Sequence, residues 1–123
     1  MNKIVDAAKE IELELSSEKG PFTLFAVFEH EEVPNLWDIV VAAPWVEQDN
    51  AQALRLLAEE IKKRLPVNEL VRVSKIVLLN SSDASVRALT SEHAIEHGRL
   101  EIDEASQYGL PVERGYVITA RAA

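Results

Sequence analysis

The residues whose types and spacing could do chemistry begin with the string His93-Ala94-Ile95-Glu96-His97. Two imidazoles four positions apart lie on one side of a helix, so a helix over this segment would let His93 and His97 ligate one divalent cation together. Glu96 beside them could take a proton from a metal-bound water. A structural role fits the same residues. Val86, Leu89, His93 and His97 form one stripe at helical spacing, and the two histidines then simply extend a half-buried face.

The string resembles the inverted zinc-peptidase motif H-x-x-E-H, in which the two histidines hold zinc and the glutamate activates water. The resemblance implies a small metal-dependent hydrolase using His93, Glu96 and His97. It covers five residues. That family takes its third ligand, a glutamate, from another helix well downstream, whereas Glu101, Glu104 and Glu113 fall on predicted strand or loop.

Three further groups have types suited to binding. Trp45, Glu47, Gln48 and Asp49 follow one predicted strand, and Asn80, Ser81, Ser82 and Asp83 follow another. If the two strands are parallel, these residues share one rim of the sheet, where ligands of open α/β sheets collect and helix N-termini offer free amides. Trp45, Asn80, Ser81 and Ser82 are therefore candidate ligand-binding residues. No glycine occurs between Pro21 and His97, so a glycine-rich phosphate cradle is absent, and Asp49 and Ser82 also suit plain helix capping. Glu29-His30-Glu31-Glu32 could hold a cation or serve as a solvated loop. Asp38, an acid inside a predicted strand, resembles the aspartate of the metal-dependent nuclease core. The next strand of that core is replaced here by Pro44-Trp45 and a helix, and pairing with a base such as Arg72 accounts for Asp38 equally.

The elements that must position these groups follow from hydrophobic period. Ile4, Ala8, Ile11 and Leu15 make one stripe of a helix over 3–17, ended by Gly20-Pro21. Residues 22–28 are apolar on both alternating faces, as in a central strand covered on both sides. Residues 37–43 form a second strand, joined to the first as an antiparallel hairpin and stopped by Pro44. Leu54, Leu57, Ala58, Ile61 and Leu65 define a helix over 50–65, closed by Pro66, whose end is complemented by Lys62, Lys63 and Arg64. Residues 70–79 give a third strand, parallel to the second through a right-handed crossover. A helix from Asn80–Asp83 to about His97 follows, with Gly98 at its left-handed cap. A short edge strand at Leu100–Ile102 and a last strand at Tyr116–Ala120 complete the order α-β-β-α-β-α-(β)-β. The fold class expected is α+β, a mixed sheet of four or five strands with about three helices, in one domain over 1–123.

Composition narrows the function classes. The 123 residues contain no cysteine, which excludes disulfides and thiolate chemistry. A net charge of −8 disfavours nucleic acid and anionic lipid as partners. No apolar stretch reaches bilayer length and no leader is read at the N-terminus, so the expected setting is cytoplasmic. With no complete catalytic set, the leading expectation is an interaction or regulatory domain without catalysis, needing no cofactor. It should self-associate through sheet edges expected at Leu100–Ile102 and the C-terminal segment.

Overall fold

The computed structural model describes residues 2–30, 32–103, 105–109 and 112–121, apart from the side chains of Ser106 and Glu113. The elements are α1 (Lys3–Glu18), β1 (Leu24–His30), β2 (Trp37–Ala42), α2 (Pro44–Gln48), α3 (Asn50–Arg64), α4 (Val67–Leu70), β3 (Val73–Leu78), α5 (Ala84–Glu92), β4 (Leu100–Ile102), a 3-10 turn (Ala105–Tyr108) and β5 (Val112–Ala120). The five strands form one mixed sheet in the order β3-β2-β1-β5-β4. The α+β class and the single mixed sheet are as the sequence pattern predicts. No helix among the described residues is long and apolar enough to cross a membrane.

Alternation along the central strands builds two cores. Phe25 and Val27 of β1 point to one face, with Ile39 and Val41 of β2. There they meet Ile4, Ala8, Ile11 and Leu15 of α1 and Ala53, Leu57 and Ile61 of α3. Leu24, Ala26 and Phe28 point to the other face, against Val86 and Leu89 of α5 and Ala105 and Tyr108 of the 3-10 turn. Full burial of each large side chain contributes about 1.5–3 kcal/mol, which makes β1, buried on both faces, the axis of the fold. Gly115 lets β5 approach that axis, because a Cβ there would overlap the Val27 carbonyl oxygen.

Local sequence sets the helix starts. The Asn2 side chain accepts from the amides of Ile4 (3.0 Å) and Val5 (3.2 Å), Asp49 from Gln52 (3.1 Å) and Asp83 from Ser85 (2.8 Å). α1 and α3 are then tied by Arg64, which pairs with both Glu60 and Glu14.

Two short helices, α2 and α4, add to the three expected, β5 starts at Val112 and not at Tyr116, and the structure departs from the expected elements in four further respects. Leu54 is exposed, because the buried face of α3 runs through Ala53, Leu57, Glu60 and Ile61. The third strand starts at Val73, since Pro66 first caps the turn of α4, with the Leu70 amide on the Pro66 carbonyl at 2.8 Å. The C-terminal strand is not an edge, because β5 lies between β1 and β4; the longer edge is β3. The fourth departure governs the histidine string. α5 ends at Glu92, and residues 93–97 are not helical. Ile95 instead exchanges both backbone hydrogen bonds with Ala120 (3.1 and 2.9 Å), and the Gly98 amide donates to Ile118 O at 3.0 Å. Pairing against β5 offers these amides partners that a longer helix would have supplied only locally, and it wins. The left-handed conformation falls on His97 (φ 51°), not on Gly98.

Candidate functional site

The rim is where the crossover places it. β2 and β3 are parallel, so the segments after them emerge at the same end of the sheet. Asn80 folds its own turn, its Oδ1 accepting from the Ser82 amide (2.8 Å) and hydroxyl (2.6 Å). The Ser81 amide donates to Glu47 Oε1 at 3.0 Å, and the Ser81 hydroxyl lies 3.2 Å from Thr23 Oγ1. These contacts hold one wall of a cleft of about 540 Å³ lined by Thr23, Asn80, Ser81 and Ser82. The facing wall is Arg87, Thr90 and Ser91, which share one side of α5 at spacings of three and four.

Trp45 does not join this cleft. Its indole N–H donates to the Gly20 carbonyl at 3.1 Å, and its ring meets Phe22 edge-on at 5.4 Å. It lines a separate cleft of about 280 Å³ with Gln48, Asp49 and Gln52. The expected rim is thus two clefts, with Trp45 in one and Asn80, Ser81 and Ser82 in the other. The division arises because α2 starts directly at Pro44 and carries Trp45 back over the α1–β1 turn.

His93 and His97, expected to share a helix face, are held by different partners. His93 Nε2 lies 3.1 Å from the Tyr108 hydroxyl, which donates to Glu92 Oε2 at 2.6 Å. The Glu92 carboxylate, helped by burial, holds the Tyr108 phenol above its usual range. His97 Nδ1 lies 2.6 Å from Glu12 Oε1, and Glu96 pairs with Arg121 at 3.0 Å. Among the described residues no three His, Asp or Glu side chains gather as metal ligands. The joint ligation inferred from a continuous helix therefore loses its geometric basis. Glu101 lies on β4, whereas Glu104 and the Glu113 side chain fall outside the described residues.

The Glu12 contact is the least expected of these. Its side chain is 0% exposed and accepts from two groups, His97 Nδ1 and the Thr119 hydroxyl (2.9 Å). Thr119 Oγ1 in turn accepts the His97 amide at 3.1 Å. A carboxylate accepts only, so the His97 tautomer that satisfies this pair carries its proton on Nδ1. This cluster opens onto a cleft of about 230 Å³ whose walls include Leu13, Phe22 and Arg121.

A second imidazole–carboxylate pair lies at the opposite end of β1. His30 Nε2 is 3.0 Å from Asp38 Oδ1, and Asp38 is buried within β2. Asp38 thus pairs with His30 of the neighbouring strand rather than with Arg72. Glu29 accepts from the Asn35 amide (2.7 Å) and from Arg114 (2.8 Å), so it closes the hairpin. Burial alone would raise the Glu29 carboxyl; the Asn35 amide and Arg114 outweigh it and hold the group below its ordinary value. Glu31 lies outside the described residues, and the other carboxylate of the run, Glu32, is exposed.

Sequence reasoning passed over Glu12, Thr119, Thr23, Arg87, Thr90 and Ser91. Only Glu12 carried a visible signal, an acid between Ile11 and Leu15 at four residues from Ala8, on the buried stripe of α1. The others become neighbours through strand pairing. Comparison with family models, curated proteins and solved structures finds no match to this chain.

Proposed function

We propose that this chain is an intracellular interaction or regulatory domain that binds a small anionic ligand in the Asn80–Arg87 cleft without transforming it. One observation carries the reading. In a chain of net charge −8, the residues lining this cleft supply one guanidinium, five hydroxyls and one amide, and no carboxylate. Among the described residues Arg87 has no acidic partner within 4.0 Å, so its charge remains available. The Ser81, Ser82, Thr90 and Ser91 hydroxyls donate within the protein, so the Arg87 guanidinium is the donor this mouth offers to a phosphate or carboxylate group. The same net charge argues against nucleic acid. A thermal-shift series with inorganic phosphate, phosphorylated sugars and small dicarboxylates tests this. A binder should raise the melting temperature of the wild type and not of Arg87→Ala, since ligand stabilises only the state that binds it. Equal shifts in both proteins, or none, would remove the reading.

A second reading, self-association, is favoured by β3. Among the described residues this strand has β2 on one side and no strand on the other, and Val67 and Val71, just before it in sequence, are 77% and 69% exposed. An unpaired edge next to apolar side chains invites a second copy. Light scattering should give a dimer that the double variant Val67→Glu/Val71→Glu reduces to monomer. A monomeric wild type at high concentration would exclude it.

A further inference from the structure

We propose that His97 is a general base, poised by Glu12 to activate water against a small carboxylic ester bound in the cleft beside it. The site is separate from the Asn80–Arg87 cleft and does not depend on it.

The first support is the placement of the carboxylate. A fully buried acid is costly unless it is paired, and Glu12 is paired with two donors from neighbouring segments, Thr119 of β5 and His97 after α5. The second is the ring itself. Nδ1 points inward to Glu12, the side chain is 45% exposed, and among the described residues nothing hydrogen-bonds Nε2. The proton-free nitrogen is thus the one left without a protein partner, on a residue that lines the cleft of about 230 Å³. A carboxylate that fixes the tautomer and stabilises the imidazolium is the arrangement general-base histidines use. The third is the backbone. His97 sits at φ 51°, a conformation that glycine or asparagine adopts at lower cost, so the fold gains nothing in backbone energy from an imidazole here. Such outliers collect where a side chain has work to do.

The step balances as hydrolysis. Nε2 takes a proton from water as the water oxygen bonds to the acyl carbon, and the carbonyl electrons move to its oxygen. Arg121 is the cation lining the same cleft; it is paired with Glu96 at 3.0 Å and must turn from that partner to meet the oxyanion. The intermediate then expels the alcohol oxygen, which receives the proton from Nε2, leaving carboxylic acid, alcohol and the original imidazole. Leu13 and Phe22 give the cleft apolar walls suited to a short acyl group.

The test is p-nitrophenyl acetate hydrolysis by the full chain. His97→Asn keeps an N–H donor for Glu12 and suits the positive φ, so the fold should survive, and the rate should fall about 100-fold. A general base gives a normal solvent deuterium isotope effect and no burst of p-nitrophenolate. Glu12→Gln, a positioning change, should lower kcat with KM unaltered. Folded His97→Asn hydrolysing as fast as the wild type would overturn the proposal. So would a burst, which would make the imidazole a nucleophile. If Glu12→Gln lost stability while the folded fraction kept its kcat, the proposed role of Glu12 would be overturned.

Discussion

The two imidazole–carboxylate pairs of this protein are made by different means. His30 and Asp38 face each other across the β1–β2 hairpin, eight residues apart in sequence. Glu12 and His97 are 85 residues apart and meet only because α1 packs on the sheet while the segment after α5 pairs with β5. In the hairpin pair the carboxylate has one side-chain partner among the described residues, and the imidazole is 26% exposed. In the long-range pair the carboxylate has two, and the imidazole is 45% exposed beside a cleft. The contrast separates two uses of one chemistry. At His30 the ring serves the acid, giving a hydrogen-bond partner to a side chain that β2 buries. At His97 the acid serves the ring, holding it in one orientation and one tautomer.

The comparison predicts unequal costs. His30→Ala leaves Asp38, 3% exposed, without its partner, and should destabilise the protein by about 3–5 kcal/mol in denaturant unfolding. A loss below about 1 kcal/mol would mean that Lys75, the register partner of Asp38 on β3, takes over at surface-pair strength. Thr119→Val keeps the shape but removes the hydroxyl between Glu12 and the His97 amide. It should cost about 1–3 kcal/mol, less than His30→Ala because His97 still holds Glu12.

A smaller effect concerns Glu29, next to His30. Its folded-state pKa is depressed, so its contribution is full above the ordinary value of 4.5 and is lost as pH falls through the folded value. The stability difference between the wild type and Glu29→Gln should therefore be constant at neutral pH and shrink below pH 4.5. A difference unchanged down to acid unfolding would show that Arg114 and the Asn35 amide do not discriminate the charged form. The smallest expected effect is that of His97→Asn, within about 0.5 kcal/mol of the wild type, because the gain at positive φ offsets the weaker hydrogen bond. A loss as large as that of His30→Ala would erase the distinction and make His97 a structural residue.

Amino-acid order alone determined the class of the fold and most of its elements. The 3.6-residue stripe of α1 and the two-sided apolar run of β1 report burial directly, because each depends on neighbours in sequence. The cap at Asp49 and the parallel pairing of β2 with β3 follow from equally local rules, whereas the cap of α5 falls on Asp83 and not on the expected Ser82, which is drawn into the Asn80 turn. Asn80, Ser81 and Ser82 were legible as one wall of a cleft for the same reason. Tertiary structure decided the rest. The string from His93 to His97 has helical spacing, yet β5 captures Ile95 and Gly98 and turns the two imidazoles to separate partners. Period describes which side of an element is apolar; it holds no information about which distant backbone will compete for the same amides. Strand order, the facing of Arg87 and Ser81, and the meeting of Glu12 with His97 all depend on that competition, and packing resolves it.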